Sequence, residues 1–296
     1  MTDRADAGGT GVALQRPPVD LEIVVPAADE EERLGPSLAT LTSALALLPL
    51  STAVVVVDNA STDLTAEVAR AGGTAEVPVH VVACPAKGKG YAVQAGVLTG
   101  CSTWTGFMDA DLATDLSALP IALAELGRGR SVVIGSRALP TSTVTARHRA
   151  VRRLGARVFR HSVAAVVPGV ADSQCGFKFF DGVVARDVFA DLVDGGFAFD
   201  VEVLARCRAR GLTIVEIPVS WDDQPGSTFR PARDGWRSFW EVWRIARRMR
   251  RVAVATPPSA PSRVDLAADP QCLDLPAAGR PDAPVAGREA ELATGA

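Results

Sequence analysis

The stretch AVVVVDNASTDLTAEVARA, residues 53–71, decides the fold class. Four consecutive valines ending in Asp58 form a short β-branched run, the pattern of a strand buried on both faces. Small polar residues follow, and then a helix is expected over 62–71. Ser61 or Thr62 is placed to cap that helix. The unit is therefore strand, tight turn, helix, with an acidic residue at the strand's carboxyl end.

The same unit recurs on both sides of it. Apolar runs stand at 21–26 (LEIVVP), 79–83 (VHVVA), 104–109 (WTGFMD) and 131–136 (SVVIGS). Helical stretches at 31–47, 89–100 and 116–127 fall between them, the last capped by Thr114 or Asp115. Such alternation predicts an α/β fold, a Rossmann-like, mainly parallel central sheet with helices on both faces. Ligands of such sheets bind at the carboxyl ends of the strands. Asp29, Asp58 and Asp109 all fall there. After residue 137 the pattern changes. An arginine-rich helix is expected over about 147–166, and DSQCGFKFFDG (172–182) reads as a loop and a short strand. Helices near 183–193 and 200–210 follow, then a strand TIVEIPVSW at 213–221. Residues 1–20 and the Pro/Ala-rich 253–296 lack apolar periodicity and are expected to be disordered, leaving 21–252 as the folded domain.

Within that frame a few residues carry chemistry. Asp109-Ala110-Asp111 is either a solvated acidic turn or a pair of carboxylates aimed into one crevice, because alternate residues at a strand end share a side. In the second case the pair suits Mg²⁺ or Mn²⁺ bridging to substrate phosphates. Asp58 is placed for a ribose hydroxyl or a base edge, and no GxGxxG accompanies it, so a Rossmann dinucleotide site is not expected. AKGKGYAV (86–93) holds two of the three lysines, Lys87 and Lys89. Its glycines at 88 and 90 read as room for close backbone approach to a ligand, and a helix N-terminus with lysine favours phosphate. The alternative is a plain basic turn.

Composition narrows the classes. At 296 residues and 48% apolar, the chain can bury a full core. A net charge of −3 and the absence of any nucleic-acid module argue against nucleic-acid binding. Five scattered cysteines without CxxC spacing suit a reducing cytosol. No apolar run is long enough to span a bilayer, so the expected location is the cytoplasm, free or lying on the inner membrane face. Two arginine clusters bear on that choice. One has six arginines between 147 and 160; the other, Arg230 to Arg251, has eight against Asp234 and Glu241. In the second, Trp236, Phe239, Trp240 and Trp243 share one helical side. The segment 236–251 is then either a membrane-surface helix or one that packs its tryptophans in the core.

Taken in order, these pieces resemble family 2 glycosyltransferases of the GT-A fold. VPAADEEERL resembles their opening Pro-x-x-Asn-Glu-Glu segment, VVDNASTD their Val-Val-Asp-Asp-x-Ser-x-Asp, KGKGYAVQAG their Gly-Lys-Gly-x-Ala-Val-Arg-x-Gly, and DADLATD their metal-binding DxD. GSR (135–137), DSQCGFKFF and FAFDVEVLARCRARGLTIVEIPVSW resemble the polyprenyl-phosphate branch, and DSQCGFKFF its dolichyl-phosphate β-glucosyltransferases. The likeness spans about 20–245. It implies a nucleotide-sugar donor, Mg²⁺ or Mn²⁺, inversion at the anomeric carbon and often a lipid-phosphate acceptor. Carried over, Pro26, Ala28, Asp29, Glu30 and Asp58 line the nucleoside pocket and Lys89 lies near the nucleotide. Asp109 and Asp111, with Ala110 between them, hold metal and diphosphate. Arg137 and arginines such as Arg149 and Arg153 meet an acceptor phosphate, and Gln174 and Lys178 face the reaction centre. Asp29, Ala28, Asn59 and Gln94 stand where the family commonly has Asn, Tyr, Asp and Arg.

Three functions follow as expectations. The first is hexose transfer from a UDP-glucose-like donor to a polyprenyl phosphate, which is already ionised and needs arginines more than a base. The second moves the same sugar to a soluble small molecule. A hydroxyl acceptor requires a base, for which Asp200 is the candidate, its plainer role being the N-cap of the following helix. The third, a non-catalytic sugar-nucleotide-binding protein, sits poorly with intact Asp109, Asp111 and Lys178.

Overall fold

The computed structural model describes residues 18–145, 162–222 and 240–250. The expected lead-in, apart from its last three residues, and the expected tail lie outside them, as does most of the arginine-rich 147–166. In chain order the elements are β1 (Leu21–Ala27), α1 (Glu31–Ala46), β2 (Thr52–Asp58), α2 (Thr65–Ala71), β3 (Val79–Ala83), α3 (Lys89–Leu98) and β4 (Trp104–Met108). A 3₁₀ turn (Leu116–Ala118), α4 (Leu119–Gly127), β5 (Val132–Ser136), β6 (Thr143–Thr145) and β7 (Phe177–Asp181) follow. The last are α5 (Gly182–Ala190), α6 (Phe199–Ala209), β8 (Ile214–Pro218) and β9 (Ser220–Asp222), and residues 240–250 form a further helix, α7.

Seven strands make one sheet in the order β3-β2-β1-β4-β7-β5-β8. β1 pairs in parallel with β2 and β4, so the winding reverses between those two neighbours and opens a crevice at their carboxyl ends. The valines quoted above show why the sheet is buried on both sides. Val54 and Val56 join the apolar cluster of α1, α2 and α4; Val55 and Val57 join that of α3, α5, α6 and α7. Period-two alternation within an all-apolar run divides the residues between two helical layers.

Four local features go beyond or depart from what the sequence implies. β7 enters the sheet antiparallel between β4 and β5, with Phe107 opposite Lys178. The expected strand 213–221 is two: β8 ends at Pro218, paired with Ser136, and β9 pairs with β6 in a separate two-stranded sheet. Proline has no N–H to continue a ladder. Ser61 and Thr62 do not cap α2. Asp63 Oδ2 instead accepts the Glu31 N–H at the start of α1, while Glu31 Oε2 accepts the Leu64 N–H just ahead of α2. The two helix starts thus cap each other, each carboxylate meeting the other helix's orphan donors. Asp115 does act as the expected cap, accepting from Ser117 N at 2.8 Å.

The fourth concerns α7. Glu241, Val242 and Ile245 are its buried residues, whereas Trp240 and Trp243 remain 52% and 49% exposed. The two indoles meet edge to face at 5.4 Å, and the Arg247 guanidinium lies 4.8 Å from the Trp243 ring. One face therefore packs in the core while the tryptophans form an outward ledge. Trp236 and Phe239 lie outside the described residues. Among the described residues no helix is long and apolar enough to cross a membrane.

Candidate active site

The crevice at the carboxyl ends of β1, β2 and β4 is built on strained backbone. Asp29, Ala60 and Leu112 have φ of 53°, 56° and 46°. These are the only non-glycine residues with positive φ among the described residues, and each lies just past one of the three strands. Left-handed backbone costs about 1–2 kcal/mol per ordinary residue and persists where surrounding structure imposes it, most often at functional sites.

Asp29 and Asp58 spend their side chains partly on this turn geometry. Asp29 Oδ1 accepts from Thr62 N at 2.8 Å, and Asp58 Oδ1 accepts from Ser61 N at 3.1 Å. Glu30 pairs with Arg33. Burial pushes the Glu30 carboxyl up, and the nearby charges of Asp111 and Asp63 add to that against the opposing Arg33. Pro26 is half-buried beside Val57, and Ala28 is exposed. The Ala110 methyl group is buried in the α1/α4-side cluster, so its side chain faces the core.

Next to Asp58, Asn59 does work that the sequence reading passes over. Its amide donates to the carbonyls of Cys84 (3.3 Å) and Ala86 (2.7 Å), and its Oδ1 accepts the Gly88 N–H (2.8 Å). A carboxylate cannot donate those two bonds, which accounts for an amide where the family commonly has an acid. Asn59 thereby sets the approach to Lys89. Gly88 and Gly90 were expected to admit a ligand; they admit the chain itself. A Cβ at Gly88 would strike the Gly195 carbonyl, and one at Gly90 would stand 2.6 Å from Phe199 Cβ. Gly90 N donates to Gly195 O at 3.0 Å, so one N–H of the first turn of α3 is already taken. Gln94, further along the helix, donates to the carbonyls of Phe189 (2.8 Å) and Leu192 (3.1 Å) and so closes the end of α5.

Two ion pairs stand behind one another in the crevice. Lys89 Nζ contacts Asp109 Oδ1. Lys178 Nζ, fully buried, donates to Asp200 Oδ1 and to the Cys175 carbonyl, each at 2.6 Å, over the Phe107 ring. Burial pushes Asp109 up, but Lys89, Lys178 and Arg137 together outweigh it and the carboxyl is held below its ordinary value. Burial likewise pulls Lys89 down, and Asp109 and Asp200 outweigh that. For Asp200 burial prevails over Lys178 and Lys89, and the carboxyl is raised. Asp200 lies inside the first turn of α6, whose N-cap is Ala198, so it is not the cap that the sequence suggested. Gly176 closes over Asp109: a Cβ there would collide with the carboxylate, and its carbonyl accepts the Asp109 N–H. Asp111 is half-buried and, among the described residues, accepts only from Ala113 N, at 3.1 Å. Burial and then the like charge of Asp109 raise its carboxyl.

Arg137, at the end of β5, is clasped by Asp172 and lies near enough to Asp109 for the charges to act on each other. Gln174 Nε2 is buried with no hydrogen-bond partner among the described residues. Arg149 and Arg153 fall outside the described residues. The donor set fits a hard divalent cation: two carboxylates two residues apart, the second raised by its neighbour's charge, a repulsion that a cation relieves. Among the described residues no cluster of three or more potential protein ligands surrounds them, so these two carboxylates would supply part of a cation's shell and leave positions for water and substrate phosphates.

Comparison with known proteins bears on the family and the fold. Residues 22–182 match the model of Glycosyl transferase family 2. The dolichyl-phosphate beta-glucosyltransferase of Drosophila melanogaster is 33% identical over 78% of this chain and 73% of its own. That of Dictyostelium discoideum is 30% identical over 72% and 71%. An uncharacterized glycosyltransferase of Mycobacterium tuberculosis is 33% identical over 69% and 86%. Among solved structures, glucosyl-3-phosphoglycerate synthase from Mycobacterium tuberculosis in complex with UDP superposes with a TM-score of 0.56, at 20% identity, over 78% of this chain and 80% of that one. The last likeness concerns the fold.

Proposed function

From a chain that belongs to glycosyl transferase family 2, we propose an inverting transferase that moves a hexose from a UDP-glucose-like donor to a polyprenyl phosphate. The observation that carries the acceptor class is Asp200. The candidate base is 3% exposed and its carboxylate is held by Lys178 at 2.6 Å. A hydroxyl acceptor needs a base within hydrogen-bond reach of its proton, and a carboxylate this buried, with one oxygen turned to Lys178, offers an incoming hydroxyl little access. A phosphate monoester, with its second pKa near 6, presents an ionised oxygen without help. The names of the relatives point the same way.

In this reading Pro26, Ala28, Asp29, Glu30 and Asp58 border the nucleoside and Lys89 meets the donor diphosphate. Asp109 and Asp111 hold a Mg²⁺ or Mn²⁺ ion, which when bound neutralises charge on the departing diphosphate. The acceptor oxygen, positioned by Arg137, attacks the anomeric carbon from the face opposite the diphosphate. Its lone pair forms the new C–O bond as the old C–O bond breaks toward the nucleoside diphosphate, and configuration inverts. Lys89 takes up negative charge on the leaving group. The test is mass spectrometry of products from mixed nucleotide sugars, offered both a polyprenyl phosphate and a pool of soluble metabolites. Hexosyl-polyprenyl phosphate is the expected product; a glycosylated soluble metabolite alone refutes the acceptor.

The Trp240–Trp243 ledge, with Arg247 against it, supports a peripheral contact with an anionic membrane surface. Arg244 is already paired with Asp194, so the tryptophans give the cleaner test. Trp240→Ala with Trp243→Ala is expected to weaken binding to anionic liposomes about tenfold or more. Equal sedimentation of parent and variant rules the contact out.

A further inference from the structure

The Asp172 carboxylate accepts four hydrogen bonds. Arg137 N and Nε donate to Oδ2 at 2.9 and 2.7 Å; Arg137 Nη2 and Gln174 N donate to Oδ1 at 2.9 and 3.1 Å. Four is about the full lone-pair capacity of a carboxylate, so this group has nothing left to offer a ligand. The loop that carries it is itself anchored. Ala171 N and Asp172 N donate to the two oxygens of Glu216 at 2.9 and 3.0 Å, and Glu216 lies on β8 opposite Ile134 of β5. The Arg137 guanidinium is steadied from another side by the Trp221 ring, 5.4 Å from its centroid.

What this arrangement leaves unmet is a set of donors. Two of the guanidinium's five N–H groups go to Asp172, and the others have no partner among the described residues. Two residues along from Asp172, Gln174 Nε2 is buried and has no partner among the described residues, which is costly unless a ligand takes its hydrogens. The Arg137 guanidinium is close enough to Asp109 for their charges to act on each other, and Gln174 is held to the same Asp172 carboxylate through its backbone N–H.

We infer that Asp172 is a positioning residue that sets the Arg137 guanidinium and the Gln174 amide as a two-armed cradle for the acceptor's phosphate oxygens. The inference rests on the function proposed above and extends it to a residue that never touches substrate. Arginine fixed in advance by a bidentate carboxylate loses little rotamer freedom when phosphate arrives, and keeps a planar edge facing it. Glu216 supports the same loop from β8, so the cradle's geometry is referred to the sheet and not to a surface loop.

Steady-state kinetics with polyprenyl phosphate and nucleotide sugar, each varied in turn, test this. Asp172→Asn is expected to raise the acceptor KM by about ten- to a hundredfold, the range typical of lost outer support, with the donor KM unchanged. Asp172→Glu, which keeps the charge, should recover part of the loss. Combined with Arg137→Ala, Asp172→Asn should add almost nothing, because it acts through that arginine. An acceptor KM within twofold of the parent, or an effect that adds in full to that of Arg137→Ala, overturns the positioning role. If Asp172→Asn does not fold, Gln174→Met carries the test. It removes the unpartnered amide donor, together with Oε1, at nearly constant volume, and should raise the acceptor KM several-fold in a variant that still folds; an unaltered KM overturns the cradle. An active Arg137→Ala enzyme with the parent's acceptor KM sinks the underlying placement of the acceptor phosphate instead. The two failures are thereby distinct.

Discussion

Replacing Asp111 by asparagine is expected to lower kcat/KM for transfer by about 10²–10³-fold while leaving the melting temperature where it was. Two features make this substitution diagnostic. Asp111 takes part in one local hydrogen bond, from Ala113 N, which the asparagine oxygen can accept equally well. Its carboxyl is raised by burial and by Asp109, so in the structure as it stands the negative charge is unfavourable. Asp111 also stands next to backbone strained at Leu112, where a metal ligand is the role under test. Asp109 is a poorer probe, because its loss also strands Lys89 and opens the contact under Gly176. The measurements are transfer rate against Mg²⁺ or Mn²⁺ concentration and thermal unfolding of the same samples. Full activity in Asp111→Asn, or in the parent protein with EDTA, sinks the assignment of the pair to a metal.

The same residues show what a sequence reveals and what it withholds. Buried β-branched runs and the acids that end them are local facts, so β1, β2, β4 and β5 and the positions of Asp29, Asp58 and Asp109 are legible. The reversal that makes the crevice is not local: strand–helix alternation says the sheet is mainly parallel, and only the strand order puts β1 between β2 and β4. Partners distant in the chain are not local facts. FKFF at 177–180 reads as a strand, yet nothing in it says that the strand runs antiparallel between β4 and β5. A lysine inside it gives no sign that its partner is Asp200, 22 residues on. Gly88 and Gly90 look like ligand-binding glycines, because a glycine shows only that something comes close, not what. Here it is Gly195 and Phe199. The tryptophans of α7 were read by their apolarity, while the side that packs is chosen by Val242, Ile245 and a buried Glu241.

That last choice is governed by charges buried around α6, and Glu202→Ala is the substitution expected to destabilise the protein most. Glu202 is 0% exposed. One oxygen accepts from Arg206 Nε and Nη2 at 3.0 and 2.6 Å and from Val193 N at 3.3 Å; the other accepts from Arg248 Nη1 at 3.1 Å and Asp194 N at 2.8 Å. Removing one member of a buried ion cluster leaves the others desolvated and unpaired, which costs about 3–5 kcal/mol, whereas the intact cluster need not stabilise the fold much relative to apolar residues. For a domain of this size that is a fall in melting temperature on the order of 10 °C. Glu202→Gln, which keeps the shape and part of the bonding, should cost less. The effect should also reach the nucleotide site. Residues 193–198 carry Gly195 O to Gly90 N, receive Arg244 at Asp194, and tie Ala198 N to Glu241. Loosening them frees the first turn of α3, so the donor KM should rise in Glu202→Gln even at temperatures where the variant is fully folded. A stability loss under about 1 kcal/mol would mean that water already screens these charges. An unchanged donor KM would mean that α7 and Lys89 are not coupled through this loop, and the tryptophan ledge would then act, if at all, only as an anchor.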